Sequence, residues 1–154
     1  MNSLLHKYSI TDFSAGELFR KCTPPASLYE NVIPSLCIIQ KIRSAISVPI
    51  VIHSAYRDPL YNARVHGAKC SLHLEFNALD FSPLSFTPLQ IRNLCLDIAL
   101  GKFNLEMDLK DHHIFVNPGV MGLGLYPTFI HLDTRGLLGR KAPRRWEVKC
   151  LIPD

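Results

Sequence analysis

From Ala26 to Ile46 the apolar residues Leu28, Val32, Leu36, Ile39, Ile42 and Ile46 recur at intervals of three or four, and after Gly101 that rhythm is lost. A period near 3.6 marks a helix with one buried face, so this stretch is predicted to be a long amphipathic helix. Pro34 falls inside the pattern and either kinks the helix or marks its true start, because its ring cannot continue a hydrogen-bonded turn. Two more helices are expected. One runs from Ser14 to Cys22, with Ser14 as N-cap and Glu17 at the capping-box spacing. The other runs from Thr87 to about Leu100, with Pro88 in the first position, where a missing N–H does no harm. The remaining apolar residues come in short runs, VPIVIH at 48–53, ALDF at 78–81, then NLEMDL, HHIFVN, TFIHLD and RWEVKC, separated by glycine and proline turns. These read as strands. Helices first and strands later, with few helical crossovers, predict an α+β fold whose central, mainly antiparallel sheet has helices packed on one side.

The chain has 154 residues, 47% of them hydrophobic, enough to build a real core. One domain is expected over 1–154, with N-terminal helices in 1–47 and a catalytic core in 48–154. No apolar run reaches the roughly eighteen residues of a membrane span, and MNSLLHKYSITDF has a lysine and serines where an export signal needs unbroken apolar residues. Five cysteines, Cys22, Cys37, Cys70, Cys95 and Cys150, make an odd number with no CxxC pair, which fits mostly buried thiols better than a disulfide framework. A net charge of +4 favours anionic partners such as wall polymers but is too small to argue for nucleic acid.

Chemistry concentrates between Ser54 and Asp80, where Arg57, Ser71, His73 and Asp80 lie in a turn-rich segment between two strands. A catalytic zinc takes three side-chain ligands and keeps one position open, so that water can be activated near neutral pH. His73 and Asp80 supply two candidate ligands, and His131 in TFIHLD is a third. Alternation along that strand puts Phe129, His131 and Asp133 on one face. HExxH is absent. Taken singly, each residue also reads as ordinary, a packed histidine or an aspartate that ends a strand.

Order and spacing together are more specific. Ser54-Ala55-Tyr56-Arg57, Asn62, Gly67, Ser71-x-His73, Ala78-x-Asp80 and Gly122-x-Gly124-x-Tyr126-Pro127-x-Phe129-x-His131-x-Asp133-x-Arg135 resemble the zinc D-Ala-D-Ala carboxypeptidase family. The likeness is to its small bacterial and phage branch of peptidoglycan peptidases, with the hedgehog/DD-peptidase fold. The resemblance implies Zn2+ held by His73, Asp80 and His131, and a peptidoglycan peptide as substrate. It places Arg57 on the substrate's carboxylate or carbonyl, with Ser71 and Tyr56 beside it, and makes Asp133 the candidate general base. Glu75 is the fallback base.

Three positions depart from the family pattern. Phe76 stands where glycine is usual, Thr128 where many members have an acid, and Phe129 where others have a second histidine. The expected activity is hydrolysis of an amide bond in a stem peptide or cross-bridge, as a carboxypeptidase or an endopeptidase of endolysin type. A monomer is expected, cytoplasmic in the producing cell, or phage-encoded and reaching the wall at lysis or in a virion. The alternative is a non-catalytic zinc-binding module of the same fold. His112 and His113 are expected to be exposed, Arg135, Arg140, Lys141, Arg144 and Arg145 to form a solvated basic face, and Trp146 to be a core or lid residue.

Overall fold

The computed structural model describes residues 1–147. Its central sheet has five strands: β1 (Ile50–Ser54), β2 (Ala78–Pro83), β5 (Gly122–Leu125), β6 (Ile130–Asp133) and β7 (Arg144–Glu147), in the order β1-β2-β6-β5-β7. The pairs β1–β2, β2–β6 and β5–β6 are antiparallel, and β5–β7 is parallel. A separate hairpin joins β3 (Leu105–Leu109) to β4 (His112–Val116). The fold is α+β with a mainly antiparallel sheet.

Pro34 does mark a helix start. Residues Ala26–Val32 form 3₁₀ turns, and α3 (Ile33–Ile46) begins with Pro34 in its first turn, where proline's missing donor breaks no bond. Thr87 caps α5 (Pro88–Ala99) in a reciprocal capping box with Gln90. Ser14 caps a shorter helix than expected, α2 (Ala15–Leu18). Two helices carried too few residues to show a period: α1 (Asn2–Lys7), and α4 (Pro59–Arg64), which Asp58 caps through the Tyr61 N–H. The last expected strand, RWEVKC, is present as far as Glu147, and the rest of it, with Cys150, lies outside the described residues.

Alternation divides the sheet into two faces. Leu79, Phe81, Leu123, Ile130 and Leu132 are almost fully buried and join the core with Val32, Ile33, Leu36, Ile39 and Ile42 of the N-terminal third. Helix α3 lies against β2, and α5 against β5. The intervening residues of the same strands, Asp80, His131, Asp133, Gly122 and Gly124, point the other way. The register sets Ser54, Asp80, His131, Gly124 and Trp146 directly opposite one another, strand by strand, in a single row across the sheet.

Phe76, which stands where the family resemblance leads one to expect glycine, is held in a conformation that glycine adopts freely. Its backbone is left-handed (φ 51°), which costs a residue with a Cβ about 1–2 kcal/mol. The ring offsets this by being fully buried, tilted against Phe19 and edge-on to Tyr56. Emptying a core site of a phenyl ring costs about 3–5 kcal/mol. Phe76→Gly should therefore lose about 1–4 kcal/mol net, a melting point lower by roughly 2–16 °C at this chain length. A variant that melts at or above wild type in a thermal scan would show the backbone strain to be the larger effect.

Candidate metal centre

Three side chains converge on the site face of the sheet. His73 Nε2 lies 3.1 Å from Asp80 Oδ1 and 3.3 Å from His131 Nδ1, and His131 Nδ1 lies 2.8 Å from Asp80 Oδ1. All three residues are buried. Asp80 and His131 meet because they are cross-strand partners on β2 and β6. His73 arrives from a 3₁₀ turn, Leu72–Glu75, capped by the Ser71 hydroxyl, which accepts the His73 N–H. The His73 carbonyl accepts the Arg57 N–H and ties that turn to the end of β1.

The outer nitrogens of both rings settle what the inner ones offer. His73 Nδ1 lies 2.6 Å from the Ala55 carbonyl, which can only accept, so the proton is on Nδ1 and the Nε2 lone pair faces inward. His131 Nε2 lies 3.1 Å from Asp133 Oδ2, again an acceptor, so Nδ1 turns its lone pair inward. Two imidazole lone pairs and a carboxylate oxygen thus face one another across 2.8–3.3 Å. Such a set repels itself unless a cation lies between. Tetrahedral ligands on bonds of about 2.0–2.1 Å are about 3.3 Å apart, so a metal of zinc's size fits these donors.

The charges around the cluster are arranged to suit a cation. Burial pushes the His73 pKa down, with Asp80 opposing only in part. Burial acts on His131 in the same sense, but its bonds to Asp133 and Asp80 outweigh it and raise the pKa, so while no metal is bound a proton competes for Nδ1. Both carboxylates sit well below the usual range. For each, burial works upward and is overcome, by His73 and His131 for Asp80, and by His131 and Arg135 for Asp133.

Arg57 donates from Nη2 to Asp80 Oδ2 at 2.5 Å and from Nε to the Ser54 hydroxyl at 2.9 Å. It occupies the second oxygen of Asp80 and leaves the first facing the two histidine nitrogens. Behind His131, Asp133 is fully buried. It accepts from the Gly122 N–H, from the Arg135 N–H and Nε–H, and, in a very short ion pair, from Arg135 Nη2. Asp133 therefore lies on the far side of the imidazole from the convergence point.

The cluster forms one wall of a cleft of about 530 Å³. Arg57 and Ser71, both expected at the substrate, line it. Tyr56, also expected there, is buried in the core against Phe76 and is not among the lining residues. Glu75 does not line it either, and pairs with Arg140. His112 and His113 are exposed on β4, as expected, away from the cleft. Of the four described cysteines none is in a disulfide. Cys95 is buried, but Cys70 is exposed and lines the cleft.

Beside the cluster the cleft is lined by aromatic side chains. Tyr126 and Phe129 stack with centroids 4.2 Å apart, Trp146 donates to the Tyr126 hydroxyl at 3.3 Å, and its indole lies 5.1 Å from the His131 ring. A Cβ on Gly124 would collide with that indole, and one on Gly122 with the Asp133 and Arg135 side chains. The two glycines of Gly122-x-Gly124 are thus the openings through which these groups reach the site. Trp146, expected as a core or lid residue, is half-buried and lines the cleft.

The sequence matches the peptidase M15 family, described as Peptidase M15, over residues 12–117. The chain belongs to the peptidase M15 family. The match takes in His73 and Asp80 but stops before His131, and it is the β2–β6 register that brings the third donor to the other two. M15 membership and this donor set together support a metallopeptidase in general. No curated protein matches the chain. Among the described residues no helix is long and apolar enough to cross a membrane.

Proposed function

We infer that this M15 chain is a zinc-dependent peptidase that hydrolyses an amide bond in a peptidoglycan stem peptide or cross-bridge. The observation that carries the reading is the inward-facing triangle of His73 Nε2, Asp80 Oδ1 and His131 Nδ1 at the wall of an open cleft. Those three residues would hold the metal. When bound, zinc supplies Lewis acidity, both for the scissile carbonyl and for the attacking water. Arg57 has five N–H donors, of which Asp80 and Ser54 take two. The others are free to meet the substrate carbonyl as it gains negative charge. Ser71 holds the His73 turn in place while its side chain borders the substrate. Asp133 acts as a positioning residue for His131, in place of the base role that the family resemblance suggested.

One observation favours a second reading, a zinc-binding module without catalysis. Among the described residues that line the cleft, Asp80 is the only carboxylate, so no acidic side chain is left over to take a proton. Purified wall and synthetic stem peptides separate the two readings. A zinc-loaded peptidase should release new amino termini or free D-alanine, and lose this on chelation with recovery on added zinc. Stoichiometric zinc with no cleavage of any peptide would leave the binding module.

A further inference from the structure

Three guanidinium groups line the cleft, those of Arg57, Arg135 and Arg144, against the single carboxylate of Asp80. Arg57 is held by Asp80 and Arg135 by Asp133. Arg144 has no carboxylate partner among the described residues, and it is exposed. Its Cζ lies 6.0 Å from the Trp146 ring, two residues along the same face of β7, with Arg135 over the same indole at 5.6 Å. Arg145 points elsewhere and clamps the strand to the Met121 and Pro118 carbonyls, which fixes where Arg144 starts.

Once a divalent cation is counted, the two carboxylates offset two of the three guanidiniums. The metal's charge and that of Arg144 remain uncompensated. A cleft so charged suits an anion, and Arg144 is the lining arginine free to form a bidentate pair with a carboxylate.

We propose that Arg144 and Trp146 form a specificity subsite for a peptide bearing a free carboxylate near the scissile bond, the guanidinium taking the carboxylate and the indole its aliphatic stem. This rests on the peptidase reading of the same cleft and adds which group of the substrate is recognised.

The test uses the zinc-loaded full chain and synthetic stem peptides in matched pairs, with the glutamyl α-carboxylate or the C-terminal carboxylate free or amidated. Affinity is read from the fluorescence of Trp146, the only tryptophan in the chain, and turnover from released amine. Wild type should prefer the free acid in one pair. R144Q should reduce that preference about tenfold or more, and R144K should recover part of it by restoring charge without the planar fork. A preference unchanged in R144Q, or absent in wild type, overturns the proposal. A preference that moves with Arg144 while no peptide is cleaved upholds the subsite and sinks the hydrolase reading alone. Peptides that neither bind nor react overturn both.

Discussion

Zinc at a thousandfold excess over its dissociation constant should raise the melting temperature of this chain by about 8–16 °C and leave His131→Ala nearly unmoved. A ligand that binds only the folded state adds about 4 kcal/mol at that excess, and for a chain of this length each kcal/mol is worth roughly 2–4 °C. The ligands explain why binding should be confined to the folded state. His73 stands on a loop turn, Asp80 on β2 and His131 on β6, so the three donors meet only once the sheet has formed. Removing His131 leaves two ligands and takes away the partner that both Asp80 and Asp133 share. Chelation should return wild type to its metal-free melting point. An equal zinc response in both proteins would place the metal elsewhere.

Acidity should weaken that response from above the ordinary histidine pKa of 6.5, because His131 holds its proton to a higher pH than a free imidazole. Metal needs the bare Nδ1, so falling pH favours the proton. The apparent zinc affinity should decline as pH drops through the raised value, by about tenfold per unit for one competing proton. A zinc titration unchanged from pH 8 to pH 6 would count against the proton–metal competition at this nitrogen.

What could be read without coordinates depended on the length scale of the signal. Pro34, Thr87-Pro88 and Ser14 announced helix starts because capping is chemistry of four neighbouring residues. Asp58-Pro59 carried the same signal for α4, but six residues show no period, and the stretch reads as a turn. Strand β5, GLGL, was hidden by the two glycines that make it useful. Glycine argues against a strand until one knows that an indole and an ion pair must pass over it.

The three candidate donors, His73, Asp80 and His131, could be named from residue order and the family resemblance, and the structure brings them together. The side of the His131 ring on which Asp133 sits could not be read in that way. Alternation put both residues on one face, which is correct, but only the bonds to Gly122, Arg135 and His131 Nε2 show the carboxylate turned away from the cleft. Tyr56 was misplaced for a related reason. It adjoins Arg57 in sequence, and the chain turns so that one lines the cleft and the other the core.

Asp133→Asn separates the two roles open to that residue. The amide keeps the shape and can still accept at its one oxygen, but it can no longer take both the Arg135 fork and the His131 N–H as an anion. Loss of a partner behind a metal-binding histidine lowers metal affinity by about 10–100-fold. Leaving the half-buried Arg135 without its counter-charge should cost a few kcal/mol in addition. If Asp133 positions His131, zinc titrated against a competing chelator will bind the variant more weakly, and peptide hydrolysis will return towards wild type once the variant is saturated with zinc. If it moves the proton, affinity will hold while the saturated rate falls by about 10²–10⁴-fold. The bonds that enclose Asp133 on every side favour the first outcome, since a carboxylate already accepting from Gly122, Arg135 and His131 has no oxygen facing the substrate.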